Sequence, residues 1–121
     1  MSSSRCAVQA EAMRSVGMPF AVEPLVRDGI ATLVVSGDVD VESSPLLMFA
    51  ARDILAYRPY AVVIDLSAVG YIEPAGLRAL MLIRWGVESF DAEFRVRVPA
   101  PLATLLGGVP GLSGAIDVQP R

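Results

Sequence analysis

The sequence of 121 residues contains no histidine and no lysine, and its only cysteine is Cys6. Without histidine, a haem ligand, a Ser–His–Asp triad, a Cys–His pair and a four-ligand zinc site are excluded within one chain. Without lysine, a phosphate loop of the GxxxxGKS/T type is excluded. A single cysteine cannot form an internal disulfide and fits a reducing cytoplasm. We therefore predict that the chain is not an enzyme and holds no metal or cofactor.

Basic residues are too few for a nucleic-acid surface. All ten are arginine, against thirteen acidic residues, so the net charge is −3. Binding of a polyphosphate needs a basic excess, and nucleic acid is therefore not expected as a partner. The longest uncharged stretch, Val98–Ile116, contains three prolines and four glycines. These would break a membrane-spanning helix repeatedly, and we predict no membrane insertion.

Apolar residues make up 54% of the chain, which excludes disorder as its overall state, and the length fits one domain. Residues 1–19 begin with three serines after Met1 and carry Arg5, Glu11 and Arg14 among small residues, which leaves no apolar core for a secretory signal. We predict that this leader is a mobile tail or an extra short helix. Residues 20–118 are predicted to form the domain.

The order of apolar patterns predicts an α/β fold. A nearly continuous apolar run at Tyr60–Leu66 is typical of a central strand covered on both faces. The predicted elements are strands at 20–26 and 30–36 joined by a tight turn, a break at 37–40, a helix from 45 that ends by 58, the central strand continued at 69–72, a helix at 74–89, a strand at 93–98, a short helix at 102–106 and a strand at 115–118. This alternation predicts a mixed β-sheet covered by α-helices.

The segment Ala61–Leu82 reads AVVIDLSAVGYIEPAGLRALML, in which an apolar strand ends in Asp-Leu-Ser and a helix begins at Glu-Pro-Ala-Gly-Leu. It resembles the STAS domain family, whose central strand ends in a D-L-S-x-V type segment and whose next helix begins with D-S-S-G-L. Gly37–Asp40 is similar to the family's G-x-L/V-D turn, and Leu105–Leu112 to its short late helix ending in Gly-Leu. The resemblance covers residues 20–118 and implies a single STAS-like domain.

The resemblance also implies the function of a bacterial anti-sigma factor antagonist. Such a protein binds an anti-sigma factor, which is also a serine kinase, and so frees a sigma factor. In the family, phosphorylation of the second serine of D-S-S-G-L switches partner binding off. Here Glu73, Pro74 and Ala75 match the aspartate and the two serines, and the Gly-Leu pair is retained. Because Ala75 has no hydroxyl, we expect no phosphorylation at this position.

The two connections between a strand and the next helix form the candidate partner surface. Asp38–Pro45 and Tyr71–Gly76 each follow a strand, so both are expected at the same end of the sheet. A carboxylate at Glu73 would be favourable by about 0.3–1 kcal/mol near a helix N-terminus. Gly76 is expected to let a partner's backbone approach and to tolerate arginine without loss of the fold. An ordinary helix start explains the same residues without a partner. The candidate partner-contact residues are Asp38, Asp40, Ser43, Ser44, Tyr71, Glu73, Pro74, Ala75 and Gly76.

Nearby polar residues have simpler interpretations than catalysis or phosphorylation. Ser43 or Ser44 is expected to be a helix N-cap, and Ser67 to satisfy loop backbone. These three hydroxyls are weak candidates for a displaced phosphate acceptor. Asp38 and Asp40 are expected to be solvated or capping residues, since the spacing of a calcium loop and its bidentate glutamate are absent.

Met48, Phe49 and Trp85 lie at helical spacing, which favours a place in the core over an exposed docking stripe. Two functions from other classes stay open: a STAS-type scaffold or subunit of a signalling or lipid-transport complex, and a small-ligand sensor. A homodimer is also left open. The expected location is the cytoplasm.

Overall fold

The structure, a computed structural model, describes residues 19–119. The predicted leader, with Cys6, lies outside the described residues except for Pro19, and the domain boundary at residues 20–118 stays a prediction. The helices and strands are β1 (Ala21–Arg27), β2 (Ile30–Val39), α1 (Ser44–Leu55), β3 (Ala61–Ile72), α2 (Pro74–Glu88), β4 (Glu93–Val98), α3 (Ala100–Gly107) and β5 (Ile116–Val118).

A tight turn joins the first two strands. Asp28 and Gly29 adopt positive φ angles of 55° and 80°, the combination that matches the twist of a two-residue hairpin. β1 and β2 pair antiparallel, with Arg27 opposite Ile30. β1 lies at the edge of the sheet, the position at which a strand tolerates a residue such as Pro24 that cannot donate a backbone hydrogen bond. The predicted edge hairpin is confirmed.

In the described part of the chain, the strands form one sheet in the order β1-β2-β3-β4-β5. β2 through β5 run parallel, and each connection between them contains a helix. α1 ends before Pro59, and Arg58 takes a positive φ of 52° at this reversal. The predicted mixed sheet with packed helices is confirmed.

One face of the sheet carries the core. Side chains from all three helices, among them Leu47, Leu80 and Leu106, join one cluster with alternate residues of the strands. The residues between them, such as Val34 and Val63, are only half-buried. The prediction that the central strand is covered on both faces is therefore wrong within residues 19–119, where the helices pack in a single layer.

β3 departs from regular alternation at two points. The register between β2 and β3 shifts twice, opposite the steps Val34–Ser36 and Gly37–Asp38 of β2. At each shift β3 contains one residue more than β2. A bulge of this kind moves the following side chains to the other face. The buried positions of β3 accordingly step by three, from Leu66 to Val69 and then to Ile72.

The bulges keep both strands paired farther than the sequence predicts. β2 continues to Val39, so the predicted break at residues 37–40 is wrong for the first three of them. Ser67 also lies within β3 and not in a loop after it. No helix among the described residues is long and apolar enough to span a membrane.

Candidate functional site

The two predicted connections lie side by side at one end of the sheet. β2 and β3 are parallel neighbours, with Asp38 opposite Tyr71 and Val39 opposite Ile72. The backbone N–H of Glu73 donates to the carbonyl oxygen of Val39 at 2.8 Å. The carboxyl ends of the two strands therefore bring the β2–α1 connection, residues 40–43, next to the start of α2.

Asp40 organises the β2–α1 connection. Its Oδ1 accepts hydrogen bonds from the backbone N–H of Glu42 at 3.1 Å and of Ser43 at 2.9 Å. Ser43 Oγ lies 3.0 Å from the same oxygen, and the Asp40 N–H donates to Ser43 Oγ at 2.8 Å. An aspartate that binds the backbone two and three residues later stabilises a turn locally. The Asp40 carboxylate therefore mainly holds its own loop.

Ser43 and Ser44 are both buried, at 5% and 7% exposure. Ser43 stands at the N-cap of α1, but within the described residues its hydroxyl makes no capping bond to the helix. It turns back to Asp40 instead, and Ser44 Oγ donates to the Asp40 carbonyl at 2.6 Å. The prediction of a serine cap is therefore wrong in its hydrogen bond, because Asp40 attracts both hydroxyls. Their burial also makes them poor phosphate acceptors.

The β3–α2 connection has a different construction. Glu73 is the N-cap residue in extended conformation, and its carbonyl accepts bonds from the N–H of Gly76 at 2.8 Å and of Leu77 at 3.1 Å. In the part of the chain that the structure describes, the Glu73 carboxylate accepts no capping bond. Pro74 begins the helix and Ala75 is its second residue, as predicted. The side chains here are thus not used to hold the backbone.

Exposure separates the members of the candidate surface. Tyr71 is 55% exposed and Pro74 is exposed, while Asp38, Glu73 and Ala75 are half-buried. These five residues present an aromatic ring, an apolar helix start and two carboxylates at one end of the sheet. We call them the sheet-end surface.

Gly76 is not part of that surface, because it is buried against the sheet. A Cβ added there would lie 2.7 Å from Cγ1 of Ile72 and 2.7 Å from Cγ1 of Val39, and both of these residues are buried. Contacts so short require the neighbours to move. The expectation that Gly76 lets a partner's backbone approach and tolerates arginine is therefore wrong, because side chains of β2 and β3 already fill the space beside this glycine.

Ser67 is the exposed hydroxyl among the three weak candidates. It lies at the first bulge of β3, where its N–H and its Oγ donate to Asp65 Oδ1 at 3.0 and 2.5 Å. Asp65 Oδ2 is in turn 3.7 Å from Arg97 Nη1. Ser67 stays a candidate acceptor, though its hydroxyl already has a partner.

Residues 19–119 contain no group of three histidine, cysteine, aspartate or glutamate side chains able to hold a metal ion. An open cavity lies elsewhere, between α1 and α2. Phe49 and Trp85, whose helical spacing favours the core, are each 59% exposed, and Met48 is half-buried. Met48 and Phe49 line the cavity, and Trp85 directly precedes the lining residue Gly86. The helical spacing of these residues was the available signal, but spacing alone does not distinguish an inner face from an outer one.

The family model of the STAS domain matches residues 21–101 of the sequence, which is more than half of the chain. The anti-sigma-F factor antagonist RsfB of Mycobacterium tuberculosis is 38% identical over 64 residues, which cover 51% of this chain and 52% of RsfB. The chain thus spans about half the length of this curated relative.

Two solved structures share the fold. An anti-sigma factor antagonist from Mycobacterium paratuberculosis has a TM-score of 0.72 and 27% identity, over 85% of this chain and 87% of that one. The phosphorylated form of the Bacillus cell fate determinant SpoIIAA has a TM-score of 0.66 over 85% of this chain and 93% of its own, and at 10% identity its similarity concerns the fold alone. The resemblance seen in the sequence motifs is confirmed, and the chain belongs to the STAS domain family.

Proposed function

We propose that the chain is an anti-sigma factor antagonist, a cytoplasmic regulator without enzymatic activity of its own. It binds an anti-sigma factor of the serine-kinase type and, by mass action, leaves a sigma factor free. The observation that carries this proposal is the 38% identity with RsfB, an anti-sigma-F factor antagonist, over 64 residues. The structural similarity to the mycobacterial antagonist supports it independently.

The sheet-end surface is the proposed contact with the anti-sigma factor. Tyr71 offers a large exposed ring, the type of residue that dominates binding energy at interfaces. Pro74 and Ala75 give a small, stiff helix start that a partner can approach closely. Asp38 and Glu73 add negative charge, which favours a partner with basic residues at this point.

Binding and release of sigma factor test the proposal directly. Each anti-sigma factor encoded by the same genome is purified, alone and in complex with its sigma factor, and titrated with the full chain. One of them should bind the chain and lose its sigma factor. Ala75→Arg should weaken this binding by at least about tenfold, because it adds bulk and positive charge at the centre of the contact.

Ala56→Arg is the matched control, since Ala56 is an exposed alanine at the C-terminal end of α1, before β3 begins, and so lies at the opposite end of the sheet from the sheet-end surface. Its affinity should equal that of the unaltered chain. If no anti-sigma factor binds, the proposed function is wrong. If binding occurs and both alanine variants behave alike, the contact lies on another surface.

The absence of a hydroxyl at Ala75 leads to a separate prediction about regulation. After incubation with the bound kinase and ATP, intact-mass analysis should find no phosphate on the chain. Ala75→Ser should remain a poor substrate, because Glu73 repels an added charge of about −1.5 to −2 and Pro74 stiffens the segment.

The triple variant Glu73→Asp, Pro74→Ser, Ala75→Ser restores the Asp-Ser-Ser pattern and should accept phosphate and then bind less tightly. A phosphate on Ser67 of the unaltered chain would contradict the prediction and identify a displaced acceptor. Rapid phosphorylation of the single variant would show that Glu73 and Pro74 impose no barrier.

A further inference from the structure

An open groove with a volume of about 350 Å³ runs between the outer sides of α1 and α2. Its lining is apolar except for Arg52. The lining residues are Pro45, Met48, Phe49, Ala51, Arg52, Leu55, Leu82, Ile83 and Gly86. We propose that this groove binds an amphipathic helix of a partner protein, with apolar side chains in the groove and carboxylates beside it. The proposal does not depend on the anti-sigma partner, whose contact lies at the sheet end.

Exposed aromatic side chains flank the groove. Phe49 on α1 lines the groove and is 59% exposed, Trp85 on α2 directly precedes the lining residue Gly86 and is also 59% exposed, and the lining Leu82 is 40% exposed. With about 150–250 Å² for each aromatic side chain, these fractions leave roughly 180–300 Å² of aromatic surface in water. The largest apolar patch of a typical monomeric protein measures about 300–600 Å² and is often functional, and the two aromatic side chains together with Leu82 approach this range. The apolar face of a partner helix would cover this area.

The dimensions favour one helix over a second copy of the chain. A standard stable dimer buries about 800 Å² on each partner, well above what the two aromatic residues expose. Along α1 the lining extends from Pro45 to Leu55, or about 15 Å at 1.5 Å per residue. This length accommodates nearly three turns of a bound helix, with anchor residues spaced by three or four positions.

The charge of the groove selects acidic partners. Arg52 lines it, and Arg78 lies one turn before Leu82 on α2. Among residues 19–119, neither arginine takes part in a salt bridge, whereas Arg84 is paired with Glu88. Apart from Glu88, the two helices carry one acidic residue, Asp53.

One cation without a salt bridge in residues 19–119 therefore lines the apolar groove, and a second lies one helical turn before the lining Leu82, in a chain whose net charge is −3. Carboxylates on a partner helix would complement them, whereas a second copy would bring its own arginines against them.

Trp85 is the only tryptophan of the chain and lies next to the lining residue Gly86 on α2, so its fluorescence is the readout for a helix bound in the groove. The probes are two helical peptides of about 14 residues, identical in their leucine anchors but with glutamate or lysine on the flanks. The glutamate peptide should shift Trp85 emission to the blue and bind at least about tenfold more tightly than the lysine peptide. Equal affinity of the two peptides would overturn the proposed charge selection.

Variants locate the binding in the groove. Phe49→Ser should weaken binding of the glutamate peptide by at least about tenfold. Phe90→Ser is its matched control, because Phe90 is 54% exposed and does not line the groove. The double variant Arg52→Glu, Arg78→Glu should reverse the preference toward the lysine peptide. Unchanged peptide binding in Phe49→Ser would overturn the proposal.

Sedimentation equilibrium of the full chain tests the alternative occupant. The chain should be a monomer at the concentrations used for peptide binding. A dimer that Leu82→Glu dissociates would overturn the proposal, because the groove would then be covered by a second copy. Loss of anti-sigma binding in Ala75→Arg with unchanged peptide binding would separate this groove from the sheet-end surface.

Discussion

The two connections at the sheet end perform the same topological task with different chemistry. In the β2–α1 connection, Asp40 Oδ1 accepts two backbone N–H groups, and the Ser43 and Ser44 hydroxyls turn toward the same residue. In the β3–α2 connection, the described hydrogen bonds are made by the backbone of Glu73. One loop is stabilised by its side chains and the other by its strands and its proline.

The two connections are therefore expected to differ in role: the side chains of the first hold their own loop in place, and the side chains of the second are available to contact a partner. A carboxylate and hydroxyls that bind groups of their own loop have satisfied their hydrogen bonds and offer little to a partner. Side chains that do not hold the backbone, such as Tyr71 and Glu73, can be used for binding without a loss of stability. We therefore expect substitutions in the first connection to change the free energy of unfolding, and substitutions in the second to change affinity.

Gly76 is the exception in the second connection, and it gives the largest expected effect on stability. Gly76→Val should lower the free energy of unfolding by about 3 kcal/mol, at the upper end for an overpacked core. The reason is the 2.7 Å separation of the added Cβ from both Val39 and Ile72. Urea unfolding followed by circular dichroism measures the change.

Gly86→Ala is the matched control for Gly76→Val, since it lies on the same helix and an added Cβ meets nothing within 4 Å. This variant should gain about 0.5–1 kcal/mol, because glycine is unfavourable inside a helix. If Gly76→Val were as stable as the unaltered chain, the close packing of α2 on the two strands would be contradicted.

Removing one carboxylate from each connection tests whether side chains stabilise the β2–α1 connection and not the β3–α2 connection. Asp40→Ala should lower the free energy of unfolding by about 1–2 kcal/mol, since it leaves the backbone N–H groups of Glu42 and Ser43 without their acceptor and removes the carboxylate beside the Ser43 hydroxyl. Glu73→Ala should change it by less than about 0.5 kcal/mol. Both are measured by urea unfolding at neutral pH.

The same two variants should behave in the opposite order when binding is measured, with Glu73→Ala reducing anti-sigma affinity more than Asp40→Ala. Equal losses of stability in the two variants would contradict the division between a loop that holds itself and a loop that is free to bind. A folded, non-binding Asp40→Ala would place recognition in the first connection.

Most of the fold is predictable from the sequence, because the apolar runs, the proline positions and the Asp-Gly turn are local signals. The bulges of β3 are not. A period of two cannot explain burial at Leu66, Val69 and Ile72, since the extra residues arise from pairing with β2 and have no signal of their own. The end of β2 was missed for the same reason.

The site is less predictable than the fold, because its residues have roles set by their neighbours. Ser43 carries the sequence signal of an N-cap, but the nearby Asp40 attracts its hydroxyl. Gly76 resembles a point of partner approach, but Val39 and Ile72 occupy that space. Trp85 has the spacing of a core residue on α2, and only the position of the helix on the sheet shows that it faces water.

A third carboxylate, Asp117, lies at the β5 edge of the sheet. It accepts hydrogen bonds, as Asp40 does, but whereas Asp40 is half-buried, Asp117 is exposed. Arg95 Nε donates to its Oδ2 at 3.1 Å, and a second guanidinium nitrogen donates to Oδ1. The hydrogen bond from Arg95 lowers the pKa of Asp117 below its ordinary value of 3.8; desolvation opposes this effect, and the charges of Arg95 and Arg97 add to it. Because its side chain is 50% exposed, we expect Asp117→Asn to cost only about 0.2–1 kcal/mol at neutral pH.

The pH dependence of the Asp117→Asn effect follows from the sign of the pKa shift. A carboxyl whose pKa is lower in the folded than in the unfolded chain stabilises the fold above the unfolded value and loses this contribution as pH falls through the folded value. The difference in unfolding free energy between the unaltered chain and Asp117→Asn should therefore be constant from pH 7 to about 5 and shrink below about 4. It should also decrease in high salt, since exposed ion pairs are screened. A difference that persists at acid pH would show that Asp117 acts through shape and not through charge, which would make it a structural carboxylate of the Asp40 kind.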